Sequence, residues 1–296
     1  LIVPVVLNWN KEDLTMETLA SLREQTYPRI STVLLDNASS NQMEALSIMK
    51  GKFPEVATFG IKPPNRGFTV GCNIGIKLAL EIGADYVLLL NNDVQLAPDA
   101  IAELLAALQS DPGAGAASPL IYYAYRPDRI WFGGGPMRMG SRVLAEHGEE
   151  ENVTPNSPTR RADWLPGTAL LVRREAVERA GPLNKIYFTY WEDVDWCFKL
   201  KSCGYHLLFV PRSVVWHKVN ATIGALPENS VYYWERNRLW FTERWGTWSS
   251  RFYAWTKILW RSVAWRVKLP PDDPQATIKL EAYRDYLLRR TGKRRG

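Results

Sequence analysis

The chain reads as an α/β protein built on a doubly wound, mostly parallel sheet. Short β-branched and leucine runs alternate with helical stretches through its first hundred residues, and the runs end on polar clusters of Asn and Asp. A composition of 46% apolar and 23% charged residues over 296 positions is that of an ordinary globular chain with a sizeable core. Ile2 to Leu7 is an unbroken apolar run and predicts a buried strand, followed by a helix over Asp13 to Gln25 with Leu14, Leu19 and Leu22 on one side. Thr32 to Leu35 is the second strand and stops at Asp36-Asn37-Ala38-Ser39-Ser40. A helix over Gln42 to Lys50 and a strand over Ala57 to Ile61 come next. Gly67 to Ile82 begins with a glycine-containing turn, continues as a helix, and leads into Tyr86 to Leu90, the most apolar strand in the chain. Ligands bind beyond the carboxyl ends of the strands in such sheets. The first places to look are therefore Asn8-Trp9-Asn10, Asp36-Asn37 and Asn91-Asn92-Asp93.

Charge divides the chain at about residue 226. From Pro227 to Gly296 there are fifteen Lys or Arg against seven Asp or Glu, whereas the first 226 residues carry 22 against 24. Two regions are expected: a catalytic or binding domain over 1–226, and a basic helical region over 227–296 that holds seven of the thirteen tryptophans. Between Arg251 and Lys268, Phe252, Trp255, Leu259 and Val263 recur at helical spacing, with Lys257, Arg261 and Lys268 on the other side. A helix of this kind lies on an anionic membrane with its indoles at headgroup level. The same pattern also suits a helix packed on the front domain with a solvated basic face. No nucleic-acid module is visible, so no nucleic-acid partner is expected. The final run, Arg289-Arg290 through Lys293-Arg294-Arg295, predicts a mobile charged end. Cys72, Cys197 and Cys203 are an odd number with no C-x-x-C pair, which suits a reducing compartment. With neither a signal sequence nor a membrane-length apolar run, the expected location is cytoplasmic, with peripheral contact at the inner face of the plasma membrane under the first reading of the helix.

Four segments carry candidate chemistry. The strand that stops at Asn91-Asn92-Asp93 delivers a carboxylate able to bind a hard cation such as Mg2+ or Mn2+, although Asn and Asp also form turns. His217, one of three histidines, follows the strand-like Leu207 to Val210 and is either a further cation ligand or a structural residue. Asn65-Arg66-Gly67-Phe68 through Gly75 places glycines and Arg66 at a helix start, where an anion is favoured; close helix packing explains the glycines equally well. Tyr190 to Trp196 sets three carboxylates, Glu192, Asp193 and Asp195, within four positions and boxes them with aromatic rings. Crowding and partial drying raise a carboxylate's proton affinity toward what a general base needs. Acidic residues complementing a helix dipole give the same pattern.

In order along roughly residues 1 to 240, the chain resembles the family 2 inverting glycosyltransferases of GT-A fold, in particular their bacterial rhamnosyltransferase-like branch. The segments that carry the resemblance are Val6 to Asn10, Leu35 to Ser39, Asn65 to Asn73, Leu90 to Asp93, Trp164-Leu165-Pro166-Gly167-Thr168-Ala169, Trp191-Glu192-Asp193 and Trp216-His217. The resemblance implies a Rossmann-like, mostly parallel mixed sheet flanked by helices, with a helical C-terminal appendage. It implies transfer of a sugar, rhamnose among the candidates, from a dTDP or UDP donor to a hydroxyl of a glycan or lipid-linked glycan, for surface polysaccharide or glycolipid synthesis. Leu7, Asn8 and Asp36 would hold the base, the Asp36 carboxylate accepting the N3–H of uracil or thymine. Arg66 and Asn73 would lie along the diphosphate, with Asn92 also on the nucleotide sugar. Asp93 matches the last aspartate of the family's D-x-D motif and His217 a histidine completing the metal shell, for Mg2+ or Mn2+. Asn91 stands where the motif has its first acid, which removes one charge from the metal site. Asp193 would be the base, with Glu192 orienting a substrate sugar. Trp164, Gly167, Thr168 and Trp191 would contact donor and acceptor sugars. A nucleotidyltransferase and a non-catalytic nucleotide- or glycan-binding module are the alternatives.

Overall fold

A computed structural model describes residues 1–149, 152–219, 227–266 and 275–294. The first half alternates as the sequence predicts: β1 (Ile2–Asn8), α1 (Glu12–Arg23), β2 (Val33–Asp36), α2 (Gln42–Lys52), β3 (Ala57–Gly60), α3 (Phe68–Ile82) and β4 (Tyr86–Leu90). These strands are parallel in the order β3, β2, β1, β4. The register pairs Asn8 with Asp36 and Val6 with Leu90, so the polar clusters that end β1, β2 and β4 emerge on one rim. Every residue of β1 is buried, as its unbroken apolar run requires of a strand covered on both faces. Helix α3 approaches it closely because a Cβ on Gly71 would sit 2.6 Å from Leu7 Cδ1, and one on Gly75 would collide with Val5. Both glycines are therefore packing residues.

The second half departs from simple alternation. It contributes β5 (Val94–Leu96), α4 (Ala100–Ser110), β6 (Ala114–Tyr123), β7 (Arg126–Phe132), β8 (Met137–Met139), β9 (Val143–Ala145), β10 (Arg160–Ala162), β11 (Ala169–Arg173), α5 (Arg174–Ala180), α6 (Glu192–Ser202) and β12 (His206–His217). Strand β11 inserts antiparallel between β4 and β6, and β12 runs parallel to β6. The main sheet is thus mixed, in the order β10, β12, β6, β11, β4, β1, β2, β3. Strand β5 pairs antiparallel with the end of β12, setting His217 opposite Val94 and hence beside Asp93.

Three helices follow: α7 (Pro227–Trp245), α8 (Trp248–Arg266) and α9 (Ala276–Leu287). Helix α7 lays Trp234 and Phe241 on Trp191, with ring centroids 5.3 and 5.0 Å apart. Helix α9 packs on α7 through Tyr283, which donates to Glu235, and Tyr286, which donates to Glu243. Helix α8 touches this pair through Ile258, buried with Leu239, Tyr283 and Tyr286.

Two expectations about this region are corrected. The face of α8 turned to solvent is the apolar one: Trp248, Phe252, Trp255, Leu259 and Val263 are each more than half exposed. Lys257, expected on a solvated basic face, points inward, 3.5 Å from the Glu235 carboxylate and over the Tyr283 ring. The Arg261 side chain and Lys268 lie outside the described residues. The charged end is also anchored where it is described. Arg289 pairs with Glu243 at 2.7 Å, Arg290 with Asp285 at 3.0 Å, and Arg294 with Glu281 at 2.5 Å.

Candidate active site

A cavity of about 380 Å³ opens at the rim where β1 and β4 end, within the usual size of a small-molecule site. Of the residues expected from sequence, Leu7, Asn92, Asp93, Trp164, Gly167, Thr168, Trp191, Glu192, Asp193 and His217 all line it. Loop Pro166 to Thr168 joins two of its walls. Asn91 N–H donates to Thr168 O at 2.9 Å, tying the loop to the end of β4, while Gly167 N–H donates to Asp193 Oδ2 at 2.9 Å.

The acidic wall is the start of α6. Glu192 is almost wholly buried and its Oε2 has no hydrogen-bond partner, whereas Asp193 keeps some exposure into the cavity. Burial, then the neighbouring Asp193 charge, pushes the Glu192 carboxyl well above the ordinary carboxylate range. Burial also raises Asp193, but the N–H groups of Gly167, Val194 and Asp193 itself oppose the rise. Both Asp193 oxygens are engaged, Oδ2 by Gly167 and Oδ1 by Val194 N–H at 2.8 Å. Two adjacent buried carboxylates resist double ionisation. Burial and the neighbouring charge therefore disfavour the ionised form of Glu192 more than that of Asp193, whose charge the three N–H donors and the helix N-terminus stabilise. Asp195 points away: its Oδ1 accepts from Trp245 Nε1 at 2.8 Å, and Arg244 lies 3.6 Å from its Oδ2.

Asp93 and His217 face each other with His217 Nε2 3.2 Å from Asp93 Oδ1, both nearly buried. Neither Asp93 Oδ1 nor His217 Nδ1 has a hydrogen-bond partner. A carboxylate oxygen and an imidazole this close suit neighbouring ligands of one cation with bonds of roughly 2.1 Å. The donor set therefore fits Mg2+ or Mn2+ supplied mainly with oxygen from elsewhere. Among the described residues no group of three or more His, Cys, Asp or Glu is placed to hold a metal alone, so the remaining ligands would come from a diphosphate and water.

Four expected residues do not themselves line the cavity. The fully buried Asp36 has both oxygens occupied: Oδ1 accepts from Ser39 N and Gln42 Nε2, each at 2.8 Å, and Oδ2 from Asn8 Nδ2 at 2.7 Å and Ser39 Oγ at 2.6 Å. These bonds fix the turn after β2, and Asp36 itself does not line the cavity. Asn8 is held in the same hub, its Oδ1 accepting from Thr15. Asn73 is turned to Leu183, with which it exchanges hydrogen bonds of 2.9 and 2.8 Å. Arg66 is exposed between Asn65 and Gly67, both of which line the cavity.

Among the lining residues not expected at the site from sequence are Trp131, His147 and Trp234. The Trp131 ring lies 4.7 Å from both His147 and His217, and His147 lies 5.2 Å from Trp164, making one aromatic wall. Burial, with His217 adding a smaller effect, lowers the His147 pKa to about 4, so the ring is neutral near pH 7. With only three histidines in the chain, a pair of them at one site was the available signal.

The mixed sheet and the rim site define the class: this is a GT-A glycosyltransferase fold. It resembles the structure of GalNAc-T7 with UDP, GalNAc and Mn2+, at TM-score 0.63 and 18% identity, covering 97% of this chain and 56% of that one. It also resembles a mannosyltransferase from Pyrobaculum calidifontis in complex with GDP-Man and Mn2+, at TM-score 0.58 and 17% identity, covering 98% and 86%. The profile of the glycosyltransferase-like family 2 matches residues 2–239, and the chain belongs to that family. A curated relative is the N-acetylglucosaminyl-diphospho-decaprenol L-rhamnosyltransferase of Mycobacterium tuberculosis, 31% identical over 226 residues that span 69% of this chain and 72% of the relative. The protein is a glycosyltransferase.

Proposed function

We propose that this glycosyltransferase is metal-dependent and inverting, and that it moves a sugar from a dTDP or UDP donor to a hydroxyl of a lipid-linked glycan. The observation that carries the reading is one cavity lined both by the adjacent acids Glu192 and Asp193 and by the facing Asp93 and His217. Rhamnose and a lipid-linked acceptor are supported by the name of the mycobacterial relative. Asp193 takes the proton of the acceptor hydroxyl as that oxygen bonds to the anomeric carbon. The bond from that carbon to the diphosphate breaks on the opposite face, and the nucleoside diphosphate leaves with the electron pair. One displacement inverts the centre. Asp93 and His217 would hold Mg2+ or Mn2+, which when bound neutralises charge on the diphosphate. Glu192, as a neutral acid, donates a hydrogen bond to a sugar hydroxyl. The aromatic faces of Trp131, Trp164 and Trp191 line the space where the sugars sit.

No helix among the described residues is long and apolar enough to cross a membrane. The outward stripe of α8 instead supports peripheral contact with an anionic bilayer, which would keep the site near a lipid-linked acceptor. The deciding experiment supplies dTDP- and UDP-sugars with Mn2+ and polyprenyl-diphosphate-linked N-acetylglucosamine, and follows both transfer and product anomeric configuration. Turnover with inversion from one of these donors is expected. Retention, or turnover only with a purine nucleotide donor, would overturn the proposal.

A further inference from the structure

Two residues that precede the acidic pair are in an unusual backbone state. Tyr190 and Trp191 have φ of 66° and 73°, consecutive left-handed positions occupied by bulky side chains. Each such position costs of order 1–3 kcal/mol and persists only where its surroundings enforce it. Trp191 is the N-cap of α6 without a side-chain capping bond, so the direction of this pair sets where Glu192 and Asp193 point. The enforcing group comes from α7. Asn237, fully buried, donates from Nδ2 to Thr189 O at 2.8 Å and to Tyr190 O at 3.0 Å. Its Oδ1 accepts from Arg236 Nε at 3.1 Å, which fixes the amide's orientation. Arg236 is itself anchored by Gly292 O at 2.8 Å, close to the end of the chain. Two carbonyls converging on one point need a group with two N–H donors. A primary amide of this length meets that need, whereas a carboxylate would repel both.

We propose that Asn237 is a positioning residue for glycosyl transfer: it holds the left-handed Tyr190-Trp191 turn that aims Asp193 into the cavity. This makes α7 part of the catalytic apparatus, and it rests on the reading of Asp193 as base. The test compares Asn237→Asp and Asn237→Ser with Glu243→Gln, which weakens the contacts of α7 with Arg289 and Tyr286 away from the turn. For both Asn237 variants kcat should fall by about 10- to 100-fold, the scale of a displaced reacting group, with the donor KM changed by less than about twofold. Glu243→Gln should lower the melting temperature and leave kcat alone. If Asn237→Asp does not fold, Asn237→Ser, which removes the two amide N–H donors without adding charge and leaves one shorter hydroxyl, carries the comparison. Full kcat in a folded Asn237→Ser enzyme, or an equal kcat loss in Glu243→Gln, would overturn the proposal while leaving the function intact. Full activity of Asp193→Asn would instead sink the base assignment and this inference with it.

Discussion

The division of labour at the start of α6 makes a sharp prediction, because adjacent acids are expected to respond oppositely to loss of charge. Replacing Asp193 by Asn removes the proposed acceptor of the hydroxyl proton. A positioned general base contributes roughly 10²- to 10⁴-fold, so kcat should fall by that factor, about 2.7–5.4 kcal/mol in the barrier. The amide would also turn its NH2 toward the N–H of Gly167 or Val194, since both oxygens of Asp193 now accept such bonds. One buried donor left unpaired costs about 1–3 kcal/mol of stability. Glu192→Gln is different: the amide resembles the protonated form that burial favours, so kcat should stay within about tenfold of wild type. The stability effect has a definite sign. Because the folded pKa of Glu192 is raised above its ordinary 4.5, its contribution is fully present below that value and is lost as pH rises through the folded pKa. Gln carries no such loss, so Glu192→Gln gains on wild type as pH increases from about 4.5. Burial holds Cys72 and Tyr190, which face the pair, above their ordinary alkaline values, so neither titrates across the neutral range. Steady-state transfer from pH 5.5 to 8.5 and urea melts at the same pH values supply both readouts. Silence of Asp193→Asn together with inactivity of Glu192→Gln would reverse the roles and refute the reasoning.

Other parts of the molecule give further tests. Asp93→Asn and His217→Gln should each weaken Mn2+ binding in the presence of nucleoside diphosphate by at least about tenfold, or 1.4 kcal/mol, read by calorimetry; unchanged binding in both would remove them from the metal site. Gly67→Ala combines a φ of 91° with a Cβ that would sit 2.5 Å from Phe188 O, and should cost about 2–4 kcal/mol of unfolding free energy. A chemical melt coinciding with wild type would show that the 188 turn yields freely. Trp255→Glu combined with Leu259→Glu should cut partitioning onto anionic vesicles by more than about tenfold, since burying each side chain is worth of order 1.5–3 kcal/mol. Equal sedimentation of variant and wild type with vesicles would remove α8 from the membrane contact.

How much was legible in the chain depended on whether a residue's task was local. The parallel half could be read directly because β1, β2 and β4 are unbroken apolar runs that stop at polar residues, and such runs mark strands buried on both faces. Asp93, Glu192 and Asp193 were found because a strand end or a helix start announces them. Asp36 was correctly placed at a strand end, and its bonds from Ser39 and Gln42, three and six residues on, knit it into its own turn. Strands β8 and β9 are three residues each, too short for any period, and His147 lies beyond the end of β9, so no pattern foretold that it would meet Trp131 of β7 and the site of His217.

The same distinction explains why the C-terminal helices were read only in part. Amphipathic spacing identified the apolar stripe of α8, yet spacing cannot say which face meets the protein; that was decided by Ile258 and Lys257 docking against α7 and α9. The basic, tryptophan-rich composition suggested an appendage, but the change in composition at residue 227 coincides with the start of the helix that supports the acidic segment. Trp234, Asn237, Phe241 and Trp245 are spaced by three or four residues, so one face of α7 can reach Trp191, the Thr189 and Tyr190 carbonyls, and Asp195 together. Asp195 shows the consequence most directly. It stands two positions from Asp193 on a helix, which turns it to a different side, and there Trp245 and Arg244 engage it. A crowd of acids in sequence thus divides in space: Asp193 faces the cavity, Glu192 is buried beside it, and Asp195 anchors the helix behind them.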